Sequence, residues 1–225
     1  MVVDIYKNIC IIYRKQYKLL TNKVNLMSNL TLITTLYAIE PVITCVTRLS
    51  PSKLIILTED GTVEKKRQAE QMLEATFGKV IEIEKKITSL YDTVRVAQDV
   101  ANLIEDEYAR GNEIIVNVSG GRKPQAFGAL FGSYARSDMV KKIVYVTEED
   151  NFIIDFPILS FNISDTKKLI LEQIQSGIKS VKTIAVNIGI SKGMTYNHLR
   201  ELKTMGYIEE KDGYSITDAG KIAVI

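Results

Sequence analysis

The sequence predicts a doubly wound α/β domain with a mostly parallel sheet and a closing strand pair, followed by a smaller helical module that ends in a hairpin. Two patterns carry this. From Leu30 onward, short apolar runs alternate with amphipathic stretches, as strands alternate with helices in βαβ units. After Phe161 the pattern changes to three short helices and a hairpin signal. The chain has 225 residues, 46% of them hydrophobic, enough to fill one large core or two small ones.

Leu30–Leu36 reads as the first strand. Pro41 then sits where a helix begins, and Val42, Ile43, Val46 and Leu49 fall at helical spacing over Glu40–Leu49. Lys53–Thr58, with Leu54, Ile55, Ile56 and Leu57 in a row, is a second buried strand, and a charged helix runs from about Thr62 to Phe77. Lys79–Ile83 is expected as the third strand. Ser89–Arg110 reads as a long helix with Val94, Ala97, Val100, Ala101 and Ile104 turned inward, closed by Gly111. Glu113–Val118 is the fourth strand. It feeds Ser119-Gly120-Gly121-Arg122-Lys123, after which Pro124–Ala135 is a helix whose Gly128 and Gly132, four apart, permit a close neighbour. Lys142–Thr147 and Phe152–Phe156, joined by a polar turn, close the sheet.

In the smaller module, Asp165 opens a helix to about Gln175, ended by Gly177. Val181–Asn187 is a second helix, Gly189 makes the turn, and Ser191 caps a third helix that runs to Met205 and stops at Gly206. Tyr207–Glu210 and Tyr214–Thr217 flank Asp212-Gly213, a two-residue hairpin signal. Three helices and a hairpin are the parts of a winged helix-turn-helix. The expected division is a leader over 1–26, a ligand-sensing domain over 27–161 and a DNA-binding domain over 162–225.

Charge and composition narrow the function. The formal net charge of +2 is uneven: residues 1–26 hold five cations against Asp4 alone, which leaves the rest slightly acidic. The leader's run Ile9–Tyr13 is too short for a membrane span and lacks a small-residue cleavage site. It reads as an appended helix or a misassigned start, or as a basic arm that touches nucleic acid. Two cysteines, Cys10 and Cys45, make no disulfide framework and fit a reducing cytoplasm. A single histidine, His198, and no Cys-x-x-Cys leave no soft-ligand zinc site. His198 is expected to pack or hydrogen-bond beside the apolar face of its helix.

The turn Gly120-Gly121-Arg122-Lys123 joins a buried strand to a helix, so glycine backbone freedom, two cations and a helix N-terminus converge at one place. That arrangement is shaped to hold phosphate; the plainer alternative is a βα loop whose glycines only make a tight turn and whose cations are solvated. In the third small-module helix, Thr195, Leu199 and Leu202 face inward at i, i+4 and i+7. Ser191, Lys192, Gly193, Tyr196, Asn197, Arg200 and Lys203 are left on the outside or at the start of the helix, a face shaped for a major groove. Lys192, Arg200 and Lys203 address phosphates, Tyr196 and Asn197 address base edges, and Lys211 at the hairpin tip reaches a flanking backbone.

Asn117-Val118-Ser119-Gly120-Gly121-Arg122-Lys123, after a strand and before a helix, resembles the second signature of the CRISPR-associated Rossmann-fold (CARF) domains. Thr34-Thr35-Leu36-Tyr37 stands where those domains carry their first signature, without the glycine often found just after that strand. The winged helix that follows resembles that of archaeal CRISPR-locus transcriptional regulators, and the likeness runs from about Met27 to Ile225. The resemblance implies a Rossmann-like fold and a cytoplasmic homodimer regulating CRISPR-linked genes in antiviral defence. A pocket on its two-fold axis would receive a cyclic oligoadenylate, with cyclic tetra-adenylate the expected ring, and no cofactor is implied. Thr34, Thr35, Leu36, Ser119, Gly120, Gly121, Arg122 and Lys123 would line that pocket, and binding would move one winged helix relative to its twin on double-stranded promoter DNA.

Other readings fare less well or stay open. No Gly-x-Gly-x-x-Gly follows the first strand, and there is no Walker loop. An RNase signature of the Arg-x(4–6)-His kind is missing, since Ser191, Lys192 and Gly193 occupy the required offsets before His198. A metal-independent ring nuclease remains the enzymatic alternative: a ribose 2′-hydroxyl attacks the adjacent phosphate, Lys123 stabilises the developing charge, and Thr34 or Thr35 orients the nucleophile. A dimeric adaptor that binds nucleotide and reports to a protein partner is the third.

Overall fold

The computed structural model describes residues 29–225 apart from 60, 62, 63, 160, 162 and 212. The expected leader, the expected helix start at Thr62 and the Asp212 half of the hairpin signal lie outside the described residues. The N-terminal part of the chain runs β1 (Leu30–Thr35), α1 (Glu40–Leu49), β2 (Lys53–Thr58), α2 (Glu64–Phe77), β3 (Glu82–Ile87), α3 (Thr93–Ala109), β4 (Glu113–Asn117), α4 (Lys123–Ala135), β5 (Lys142–Val146) and β6 (Ile153–Phe156). These strands form one sheet in the order β3-β2-β1-β4-β5-β6, parallel except for the antiparallel β5–β6 pair. This is the doubly wound, Rossmann-like α/β architecture that the sequence predicts.

Alternation along each strand divides the core between the two faces of the sheet. Leu32, Leu54, Ile56, Ile115 and Val144 meet α1 and α2 on one side. Ile33, Ile55, Leu57, Ile114, Val116 and Ile143 meet α3 and α4 on the other. Helices α3 and α4 lie almost in backbone contact, because a Cβ on Gly128 would stand 2.5 Å from Val96 Cβ and one on Gly132 would stand 2.5 Å from the Ala97 carbonyl oxygen.

One strand lies elsewhere than expected. The third strand begins at Glu82, three residues later than the apolar run at Lys79–Ile83 predicts. Val80 and Ile81 belong to the turn that leaves α2, where their N–H groups donate to the Phe77 carbonyl and Ile81 fills the core. The paired segment Glu-Ile-Glu-Lys-Lys-Ile is charged because β3 is a sheet edge, and edge charges discourage pairing with another chain. Helix α3 likewise starts at Thr93 rather than at Ser89. Ser89 Oγ accepts from the Asp92 N–H at 3.0 Å, and Asp92 caps α3 by accepting from the Arg95 N–H at 3.0 Å.

The C-terminal segment contains α5 (Asp165–Gln175), α6 (Val181–Ile188), α7 (Lys192–Thr204), β7 (Ile208–Glu210), β8 (Tyr214–Ile216) and α8 (Asp218–Ala223). Ile170, Leu171, Ile174, Ile184, Leu199, Leu202 and Ile208 form its separate core. Ser180 and Ser191 cap α6 and α7. Helix α8 was not expected from the sequence. Thr217 caps it, and Gly220 admits it against the Tyr207 carbonyl, where a Cβ would stand 2.2 Å away. Through α8 the segment packs on α3 and α4, and Arg136 Nη1 donates to the Ile225 carbonyl at 2.5 Å.

Candidate functional site

The order of the sheet reverses between β1 and β4. A parallel sheet opens a crevice at the carboxyl ends of two such strands, because their connections leave to opposite faces. Thr34 pairs in register with Asn117 there, so the end of β1 and the Gly-Gly turn after β4 are brought side by side.

Hydrogen bonds weld the two. Asn117 Nδ2 donates to Thr34 Oγ1 at 3.1 Å, and Asn117 Oδ1 accepts from the Ser119 N–H at 3.0 Å and from its hydroxyl. Ser119 Oγ in turn accepts from the Val146 N–H at 2.7 Å, tying the turn to β5. Thr35 Oγ1 donates to the Gly120 carbonyl at 2.6 Å, and Thr34 Oγ1 donates to the Thr35 carbonyl at 3.1 Å. Both threonines are fully buried. Their hydroxyls, expected to face the ligand, are engaged within the chain. Leu36 is buried too and sends its side chain into the core, so only its backbone borders the turn.

The glycines are required by space. A Cβ on Gly120 would stand 2.5 Å from the Thr35 carbonyl oxygen. Gly121 adopts φ +78°, and a Cβ there would stand 2.7 Å from Gln125 Oε1 and 2.9 Å from Thr35 Cβ. The chain then turns into α4 with Arg122 at the N-cap in extended conformation and Pro124 in the first turn; no side chain caps this helix. Arg122 and Lys123 are exposed, and among the described residues neither has an ion-pair partner. The Arg122 guanidinium lies 5.5 Å from the centroid of the half-exposed Tyr37 ring. The result is a cationic rim on a helix N-terminus, backed by a buried polar latch, an arrangement whose charge and free N–H groups suit an anion.

The second candidate surface is α7. Thr195, Leu199 and Leu202 are buried, and Ser191, Lys192, Gly193, Tyr196, Asn197, Arg200, Lys203 and Lys211 are exposed. Arg200 Nη2 donates to Asn197 Oδ1 at 2.8 Å, which orders that amide. Lys203 pairs with Glu210 at 2.8 Å and Lys211 with Glu209 at 3.1 Å, so two of the expected phosphate contacts already face carboxylates. Hydrogen bonding to Glu210 raises the Lys203 pKa, and the same bond lowers that of Glu210. Tyr196, Asn197, Arg200, Lys203, Glu210 and Tyr214 line a depression of about 300 Å³ between α7 and the hairpin. His198 is half-buried, its Nδ1 3.9 Å from Glu201 Oε2 and without a hydrogen bond among the described residues.

Beside the turn stand two residues that the sequence does not single out as site groups: Tyr37, which it places only at the end of the first signature, and Gln125, for which the third position of an uncapped helix is the one sign available.

The family described as HFX_2341_N:-like, N-terminal, matches residues 31–151, more than half of the chain. The chain belongs to this family. The matched span contains both strand ends and the whole Gly-Gly turn. A search of curated proteins returns no match to the sequence. In structure, the chain is similar to Can2 from Sulfobacillus thermosulfidooxidans in complex with cyclic tetra-adenylate, at 17% identity and a TM-score of 0.43, over 87% of this chain and 63% of that one. It is similar to protein VC1899 from Vibrio cholerae at 12% identity and a TM-score of 0.47, over 89% of this chain and 65% of that one. Enterococcus italicus Csm6 bound to cyclic hexa-2′-fluoro-hexa-dAMP is similar at 11% identity and a TM-score of 0.42, over 79% of this chain and 55% of that one. The chain thus spans less than two thirds of each of these proteins, and likeness at such identities concerns the fold alone. Among the described residues no helix is long and apolar enough to cross a membrane.

Proposed function

We propose that the chain senses a cyclic oligoadenylate, with cyclic tetra-adenylate the expected ring, and thereby controls a DNA-binding C-terminal domain that regulates CRISPR-linked genes. The observation that carries the reading is the meeting of Thr34-Thr35 and Asn117–Lys123 at the point where the strand order reverses. Residues 27–161 are the sensing domain and residues 162–225 a winged helix-turn-helix, with α7 as its groove-entering helix. In a homodimer, two copies of the turn would offer Gly120 and Gly121 backbone and the Arg122 and Lys123 charges to a ring of matching two-fold symmetry. Thr34, Thr35 and Ser119 hold the turn in shape from behind. Helix α4 begins at the ligand turn and packs at its other end near α8, so a shift of the turn has a rigid element by which to reach the DNA-binding domain.

Sensing is favoured over ring cleavage because the Thr34 and Thr35 hydroxyls are spent on the Thr35 and Gly120 carbonyls. Incubation of the protein with labelled cyclic tetra-adenylate decides between them: the ring stays intact and bound if the protein is a sensor, and linear fragments that vanish on Lys123→Ala make it a nuclease. For the DNA-binding half, a footprint over a CRISPR-linked promoter should weaken with Arg200→Ala or Asn197→Ala and with added salt. The dimeric adaptor is the second reading, and the pairing of Lys203 and Lys211 with Glu210 and Glu209 favours it. Absence of DNA protection with and without ligand would leave it ahead of the regulator.

A further inference from the structure

The first turn of α4 holds a polar side chain that the site as described leaves idle. Gln125 is 0% exposed, yet neither its Oε1 nor its Nε2 has a hydrogen-bond partner among the described residues. Buried amides are almost always paired, and a glutamine at this helical position ordinarily reaches back to the N-cap N–H. Here it does not. Its Oε1 instead lies against Gly121, where a Cβ would stand 2.7 Å from it, in the same turn that carries Arg122 and Lys123.

We infer that Gln125 is a ligand-binding residue of this turn, whose amide is completed by a ribose 2′-hydroxyl standing next to a phosphate held by Arg122 and Lys123. The inference rests on the nucleotide reading of the turn. The choice of ligand group follows from what the amide lacks. Nε2 needs an acceptor and Oε1 needs a donor. A phosphate oxygen only accepts, so a bare anion satisfies half of the amide. A hydroxyl beside the phosphate donates to Oε1, and the 2′-hydroxyl of a ribonucleotide is such a group, the one that distinguishes RNA from DNA. A base could also offer both functions, but it stands a sugar's width away from a phosphate seated on the helix N-terminus. Because the amide is buried under Gly121, seating a hydroxyl on it requires the Gly120-Gly121 turn to shift on binding, and no side chain on either glycine obstructs the approach. A deoxyribose ligand would leave Oε1 unpaired in an occupied site, a penalty that selects strongly against it.

The test is calorimetric titration of the full chain with cyclic tetra-adenylate and with its all-2′-deoxy counterpart, in the wild type and in Gln125→Met, Gln125→Glu and Lys123→Ala variants. The wild type should prefer the ribose ring by tenfold or more. Gln125→Met should bind both rings alike, at the weaker level, and the free variant should unfold at higher denaturant than wild type because two unpaired groups are gone. Gln125→Glu, which can only accept next to a phosphate, should lose at least tenfold for the ribose ring with its fold kept. Lys123→Ala should weaken both rings and keep their ratio. Equal binding of the two rings by wild type, or an unchanged preference in the Gln125 variants, overturns the inference and leaves the nucleotide site standing. No binding of either ring by wild type overturns both.

Discussion

The Thr35 hydroxyl donates to the Gly120 carbonyl oxygen across 85 residues of sequence, at 2.6 Å, and so fastens the end of β1 to the turn after β4. A Thr35→Val substitution keeps the shape and leaves the Gly120 carbonyl unpaired. It should cost about 1–3 kcal/mol of stability and weaken binding of cyclic tetra-adenylate through a loosened turn. Urea midpoints and calorimetric titration measure the two effects separately.

Gly121 and Gly177 both adopt positive φ, +78° and +90°, but only Gly121 is crowded by Thr35 and Gln125, whereas a Cβ at Gly177 meets nothing within 4 Å. Gly177→Ala should therefore cost only about 1 kcal/mol of left-handed backbone strain. Gly121→Ala should cost clearly more and abolish ligand binding. Equal urea midpoints for the two variants would contradict the close packing of the turn.

Glu107 lies at the opposite end of the sheet, 1% exposed, accepting from Thr31 Oγ1 at 2.7 Å, Lys53 Nζ at 3.0 Å, Asn112 Nδ2 at 2.7 Å and Arg110. Burial alone would push its pKa up, but the hydrogen bonds from Thr31, Lys53 and Asn112 outweigh it and hold the carboxyl below its ordinary 4.5. The folded state therefore gains stability above the unfolded carboxylate value and loses it as the pH falls through the lowered folded value. Glu107→Ala removes the acceptor of Thr31 and Asn112, while Lys53 keeps Glu84 at 2.8 Å and Glu82 at 3.3 Å, and should cost about 1–3 kcal/mol at neutral pH. Glu107→Gln should flatten the acid limb of a stability-against-pH curve, which thermal melts between acid and neutral buffers would reveal.

On α7, Glu210 holds Lys203 away from any phosphate. Glu210→Gln should strengthen binding to duplex DNA and steepen its salt dependence by about one counterion, because one more cation becomes available. Fluorescence anisotropy at several salt concentrations reads this slope. A flat response would count against α7 as a DNA contact.

Cys45 is fully buried in α1, and burial pushes its thiol up to about 12 despite the neighbouring Arg48 charge. The thiolate is the reactive form. Peptide mapping after iodoacetamide treatment at mildly alkaline pH should find Cys45 unmodified in the native protein and fully labelled in denaturant.

The sequence by itself determined the alternation of strands and helices, the buried faces at Thr195, Leu199 and Leu202, and the location of the Gly-Gly turn. Each of these is written in local periodicity or in residues with special backbone demands, which a neighbouring segment does not alter. It misplaced β3, because Val80 and Ile81 owe their apolar character to plugging the end of α2 while the actual edge strand is charged. It passed over α8, a six-residue helix too short to show a period. Only the tertiary structure decided which strands stand at the reversal of sheet order, that the Thr34 and Thr35 hydroxyls turn inward to the chain, that Lys203 and Lys211 face carboxylates, and that Gln125 is buried without a hydrogen-bond partner among the described residues. Those facts depend on contacts between residues far apart in sequence, and a side chain's hydrogen-bond partners are set by where the fold puts it.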